Sequence, residues 1–202
     1  MIHAYAFTAG LVSLPALDGL DGEPLEVRTI DGLEAVVSCR RAESSRRGLR
    51  AEALVHGTVV EALVDRAAAV LPVRFGETAP DDDSFARAVR ARAEGLRRSL
   101  DRVRGCVEVG VRIASLEQPV ALTGTDYLRA RRAATGGELH DQLRLLARDS
   151  RSSAGGSAYL VPRESLPAVQ ERARRFALAH PELTVVCTGP WAPYNFTTAA
   201  AP

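Results

Sequence analysis

Residues 105–114 read Gly105-Cys106-Val107-Glu108-Val109-Gly110-Val111-Arg112-Ile113-Ala114. Val107, Val109, Val111 and Ile113 alternate with Glu108, Gly110 and Arg112. Successive side chains of a strand point to opposite faces, so this spacing predicts a strand with one buried face and one polar face. Downstream, Thr125 to Asp149 is helical by composition, with Leu139, Leu143 and Leu146 in register. Gly136-Gly137 interrupts it, at about 1 kcal/mol per glycine relative to alanine, which predicts a break or kink. Ser150 to Ser157 reads as a Gly/Ser loop and Ala158 to Val161 as a short strand. Ser165 caps a helix whose stripe is Leu166, Val169, Ala173, Phe176 and Ala177, and His180-Pro181 ends it. Leu183 to Thr188 is the final strand, followed from Gly189 by an aromatic and proline-rich tail. Strand 105–114, helix, strand 158–161, helix, strand 183–188 is most of a ferredoxin-like βαββαβ unit, lacking one strand.

Upstream, Asp81-Asp82-Asp83-Ser84 places acidic and capping residues ahead of a helix over about 84–104. Phe85, Val89, Leu96, Leu100 and Val103 form its apolar stripe. Arg87, Arg90, Arg97, Arg98 and Arg102 occupy its other faces, as a solvated surface or a contact for an acidic protein. Ala51 to Val70 is a second helix, with His56, Val59, Val60, Leu63, Ala67 and Val70 on one face. Leu71, Val73 and Phe75 then alternate with Pro72 and Arg74, a short strand whose proline points to a sheet edge or to the first residue of the pairing. Asp31-Gly32 between Leu25–Ile30 and Leu33–Cys39 is a hairpin signal. Ile2 to Thr8 opens the chain as a strand, and Gly10 to Pro24 and Arg40 to Arg50 are loops. Ser115 to Thr123 reads as a domain boundary. The fold class is α+β with two small domains. Residues 1–114 form a mixed sheet with two helices, and 115–202 a modified ferredoxin-like domain with an aromatic tail. Strand 105–114 can belong to either sheet.

The chain has 202 residues, 46% of them hydrophobic, and a formal net charge of +1. That is enough apolar material for real cores and too little basic excess for binding nucleic acid by bulk charge. No lysine occurs. A Schiff-base lysine and a phosphate-loop lysine are therefore excluded. Cys39, Cys106 and Cys187 have no metal-binding or CxxC spacing and read as reduced thiols of a cytoplasmic protein. No segment approaches the roughly 18 apolar residues of a membrane span, and the N-terminus does not read as a signal peptide.

No catalytic motif is present: no G-x-S-x-G, H-E-x-x-H, G-x-x-x-x-G-K or G-x-G-x-x-G. His3, His56, His140 and His180 are far apart in sequence. His56, on an apolar helix face, reads as a hydrogen-bonded core or interface histidine before it reads as a base. The Asp81–Asp83 run reads as a helix start before a cation site. No cofactor and no metal is expected. An RNA-binding sheet would need exposed aromatics on strand faces, and His3, Tyr5 and Phe7 are the only candidates.

Two segments are more specific. One is Val70-Leu71-Pro72-Val73-Arg74-Phe75-Gly76, preceded by a helix carrying His56 and Glu61. The other is Gly189-Pro190-Trp191-Ala192-Pro193-Tyr194-Asn195-Phe196. In the first, Leu71, Val73 and Phe75 face a core, Arg74 faces the other way toward a carboxylate or a partner, and Gly76 permits a turn. In the second, two prolines stiffen a tail that folds back over the protein or presents Trp191, Tyr194 and Phe196 to a partner. Together they resemble the gas vesicle protein F/L family, whose members carry a VLPVRFG-type segment and end in a GPWPPYxF-type segment. Ala192 and Asn195 stand where Pro and Ser are usual. The GLEAVVS stretch at 32–38 and Gly124-Thr125-Asp126-Tyr127-Leu128 extend the resemblance along nearly the whole chain.

The resemblance implies a two-domain cytoplasmic protein associated with gas vesicles, with no enzymatic activity. It implies an accessory or minor structural role in assembly, and contact between the N-terminal domain and the small hydrophobic shell protein. Other gas vesicle accessory proteins are further implied partners; nucleic acid and membrane are not. His56, Glu61, Arg87, Arg90 and Arg97 are candidate interface residues. The alternative is a ferredoxin-like module that binds a small ligand or acts as an enzyme, with a cleft near His56 and Arg74.

Overall fold

Asp31 and Gly32 both take positive φ, 48° and 79°. This two-residue turn matches the right-handed twist of its flanking strands. It joins β2 (Glu26–Ile30) to β3 (Leu33–Cys39), with Ile30 opposite Leu33, as the sequence predicts. The computed structural model describes residues 1–40, 48–115, 136–153 and 155–197. They divide into two units, Met1–Gly105 with the chain from Ala192 onward, and Cys106–Trp191.

In the first unit β1 (Ile2–Leu11) pairs with β3 on one side and with β4 (Ala67–Pro72) and β5 (Thr78–Ala79) on the other. The strand order is β2-β3-β1-β4. Every pairing is antiparallel, so the sheet is not the mixed one expected. Helix α1 (Leu49–Val64) ends earlier than Val70, where Arg66 N–H turns back to Leu63 O at 3.0 Å. Ala67 to Val70 join β4 instead. An Ala-Ala-Ala-Val run is apolar at either period, so spacing cannot separate helix from strand there, and pairing with β1 decides. Pro72 does lie on a strand at the end of the sheet order, as its missing N–H requires. Helix α2 (Asp82–Val103) starts at Asp81, whose carboxylate accepts from Ser84 N–H at 2.7 Å. Its predicted stripe of Phe85, Val89, Leu96, Leu100 and Val103 is buried.

The two helices cover opposite faces of this sheet. His3 and Tyr5 meet His56 of α1. Ile2, Ala4 and Phe7 line a small cavity with Phe85 and Ala88 of α2. A strand covered on both faces is buried at every position, and β1 is so from Ile2 to Thr8.

In the second unit β6 (Cys106–Ser115) is central, between β8 (Gly156–Pro162) and β9 (Leu183–Trp191). The boundary therefore falls after Gly105 rather than after 114. The missing strand of the ferredoxin-like unit is present as β7 (Asp149–Ser153), inside the segment read as a Gly/Ser loop. Its residues are polar at every position, and as an edge strand it needs no buried stripe, so alternation gives no sign of it. The order β7-β8-β6-β9, all antiparallel, completes the ferredoxin-like sheet.

Helix α3 (Gly137–Arg144) follows Gly136 at φ 68°, which is the expected break, and stops short of Asp149 because that residue enters β7. The expected helix before Gly136 and the boundary loop after Ser115 lie outside the described residues, as do residues 41–47 of the polar loop. Helix α4 (Leu166–Ala179) begins after a 3-10 turn, and Ser165 occupies its cap position without a side-chain bond. The second core gathers Val109, Val111, Leu139, Leu143, Tyr159, Val161, Val169, Phe176 and Leu183. Strand β9 runs on past Thr188 through a bulge opposite Glu108–Gly110, so Gly189–Trp191 are strand, not tail.

Candidate functional site: a buried polar cluster beneath helix α1

Because β1 has no solvent face, its polar side chains can find partners only inside the protein, and His3 Nδ1 and Thr8 Oγ1 find none among the described residues. His3 Nε2 lies 2.9 Å from His56 Nδ1, and His56 Nε2 lies 2.9 Å from Val73 O. A carbonyl only accepts, so His56 donates from Nε2, and its Nδ1 then accepts from His3 Nε2–H. Both rings are neutral in this arrangement. Burial lowers the His56 pKa, and burial together with His56 and Arg40 lowers that of His3 to about 3. Tyr5 stacks on His56, and Phe75 lies across both histidines at ring distances of 5.8 and 6.0 Å.

The Tyr5 hydroxyl accepts from Leu20 N–H at 2.7 Å and bonds Ser38 Oγ at 3.0 Å. A Cβ on Gly19 would stand 2.5 Å from that hydroxyl, so only glycine lets the loop approach. Arg40 completes the cluster, held between Asp21 at 2.9 Å and Glu52 at 3.2 Å with little exposure of any partner. The VLPVRFG segment is thus tied at Val73 O to α1 through His56 and onward to β1 through His3.

His56 is 2% exposed and both its nitrogens are engaged. It can neither touch a partner nor serve a ligand, so the cleft imagined near His56 and Arg74 loses its titratable residue. Leu71, Pro72 and Val73 are buried, Phe75 is half-buried, and Gly76 turns at φ 95°. Arg74 is exposed and forms no ion pair among the described residues, so the structural carboxylate partner expected for it is not seen. Arg90 and Arg97 of α2 reach the hairpin tip, Arg90 at 3.5 Å from the Asp31 carboxylate and Arg97 at 2.6 Å from its carbonyl. Arg87 bonds Ser84. Among the described residues no group of His, Cys, Asp and Glu could hold a metal ion.

The aromatic motif is shared between the units. Gly189, Pro190 and exposed Trp191 finish β9, whereas Ala192, Pro193 and Phe196 are buried and group with the first unit. Tyr194 is 37% exposed, and burial and neighbouring Glu61 push its phenol up to about 12. In the second unit a cavity of about 450 Å³ is lined by His140, Ser152, Ser157 and Tyr159, with His140 Nδ1 2.7 Å from the Tyr159 hydroxyl. Sequence reasoning placed His56 in a hydrogen-bonded core but missed His3, Tyr5, Ser38, Asp21, Arg40 and Glu52 as its company. The available signal was the spacing of His3 and Tyr5, two apart on a strand and so on one face.

A family model described as gas vesicle synthesis protein GvpL/GvpF matches residues 1–126 and 123–198. Gas vesicle protein F2 of Halobacterium salinarum is 30% identical over 174 residues, 81% of this chain and 76% of the relative. Gas vesicle protein F of Haloferax mediterranei is 30% identical over 192 residues, 89% of this chain and 85% of the relative. The crystal structure of GvpF from Anabaena sp. PCC7120 has a TM-score of 0.73 at 19% identity, covering 98% of this chain and 95% of that one. GvpF from Microcystis aeruginosa has a TM-score of 0.74 at 18% identity, covering 98% of each. At such identities the structural likeness speaks to the fold.

Proposed function

Since the chain belongs to the GvpL/GvpF family of gas vesicle synthesis proteins, we propose that it is an accessory protein that binds the small hydrophobic shell protein during vesicle assembly. One observation carries the contact surface: α1 is apolar on two sides. Its inner side buries Val59, Val60 and Leu63, while Leu54 stands 66% exposed on the outer side. Ala51, Leu54 and Thr58 follow at helical spacing and carry no charge, so they form a stripe on which an apolar segment can pack. The buried cluster fixes α1 on the sheet and so presents that stripe rigidly. Glu61 and Tyr194 flank it, and the arginines of α2 brace the hairpin rather than make the first contact.

A shell subunit exposes apolar surface before it is built in. A protein that covers this surface and releases it at the growing shell suppresses misassembly. Family membership and the absence of a catalytic motif support an accessory role over an enzymatic one. Replacing the chromosomal copy with the Leu54→Glu variant tests this. The expected outcome is loss or strong reduction of vesicles at unchanged protein level, whereas normal vesicles would refute the assigned surface.

A further inference from the structure

Five strands end the two sheets; β5 is only two residues long, and of the other four, three are closed to pairing. β2 carries Glu26 and Arg28, the latter bound to Asp82. β7 carries Asp149 and Arg151. The Ala68 carbonyl of β4 already accepts from Gly105 N–H at 2.8 Å. Charges, prolines and covering segments are the usual protection of an edge. β9 lacks them from Thr184 to Thr188. From Leu183 to Pro202 the chain holds no charged side chain. Thr184, Val186, Cys187 and Thr188 are exposed, Val186 at 44%. Among the described residues, the backbone of Thr184–Trp191 pairs only with β6.

We propose that β9 is a self-association edge, where a second copy of this chain adds its own β9 antiparallel to form one eight-stranded sheet. The sequence is self-complementary. Pro181 and Pro190 lack an N–H and bracket the pairing segment, whose middle falls at Val185–Val186. Val185 and Cys187 lie on the helix face, lining a cavity with Ala173 and Arg174 of α4. Thr184, Val186 and Thr188 therefore point to the other face. A twofold axis through Val186, perpendicular to the sheet, keeps each face on its own side. It sets Val186 opposite Val186, Thr184 opposite Thr188 and Val185 opposite Cys187 of the second copy. Thr–Thr and β-branched pairs are favourable cross-strand neighbours, and no like charges meet. The same operation on β7 would face its charges with a second set.

Sedimentation velocity of the full chain over a range of micromolar concentrations tests this. The wild type is expected to show a concentration-dependent dimer. Val186→Lys and Val186→Glu, each placing like charges opposite one another at an exposed site, are expected to weaken it about tenfold or more. An equimolar mixture of the two variants is expected to restore association, because residue 186 meets its own counterpart across the axis. A wild type that stays monomeric throughout, single variants that dimerise like the wild type, or a mixture that fails to recover would each overturn the proposal.

Discussion

The two sheets share one plan and cover it differently. In chain order within each unit, the strands lie second–third–first–fourth and all run antiparallel. The second unit has described helices α3 and α4 before its second strand and before its fourth. The first unit replaces the earlier helix by a loop with a single 3-10 turn, Leu20–Gly22, and adds α2 after the fourth strand. That added helix takes the other face, so β1 is sealed on both sides while β6 still exposes Arg112 and Ala114. The consequence is chemical. On β6 the Arg112 side chain reaches solvent, whereas His3 and Tyr5 on β1 must find partners inside, and α1 and the 3-10 turn supply them.

If this contrast is right, damage to the first unit should cost more than equivalent damage to the second. Phe196→Ala removes a fully buried ring from the first unit and should destabilise that unit by about 3–5 kcal/mol in chemical denaturation. A matching shift in the transition of the second unit instead would break the assignment of the tail.

His56→Ala leaves Val73 O and His3 Nε2–H without partners, at an expected cost of about 2–4 kcal/mol. His140→Ala in the second unit removes a half-buried ring bonded to Tyr159 and should cost about 1 kcal/mol by the same measurement. Equal costs would erase the distinction between the sealed and the accessible histidine.

The same histidines predict a pH dependence. Their folded pKa values lie below the unfolded value of 6.5, that of His3 at about 3. Between those limits the unfolded chain binds more protons, so stability is fully present above pH 6.5 and falls as pH drops toward 3. The slope from His3 is up to about 1.4 kcal/mol per pH unit over that range, and His56 adds to it below pH 6.5. Denaturation curves at stepped pH should show this slope in wild type and a shallower one in His56→Ala. The smallest effect expected is at the exposed cap: Asp81→Ala should lower the denaturation midpoint of the first unit by less than His140→Ala lowers that of the second.

The legibility of the sequence followed the same divide. The alternating β6, the Asp31-Gly32 hairpin and the α2 stripe were readable because each has one buried and one polar side. β7 was not, since Asp149–Ser153 lie on an edge where no residue needs burial. The α1–β4 junction was not, since Ala67–Val70 are apolar at either period. Of the buried cluster, His56 could be placed by its apolar helix face. Its partners come from four separate stretches of chain that only the sheet brings together. For Arg74 the two readings, a carboxylate or a partner, could not be separated, because sequence shows a charge but not the distance to its nearest carboxylate.

The central claim is that the outer stripe of α1 holds the shell protein. Co-expression of the small gas vesicle shell protein with tagged full-length chain, as wild type, Leu54→Glu and Val186→Lys, tests it in one pull-down. The account predicts that wild type and Val186→Lys retain the shell protein while Leu54→Glu loses it. Retention by Leu54→Glu at the wild-type level, or by none of the three, would contradict it.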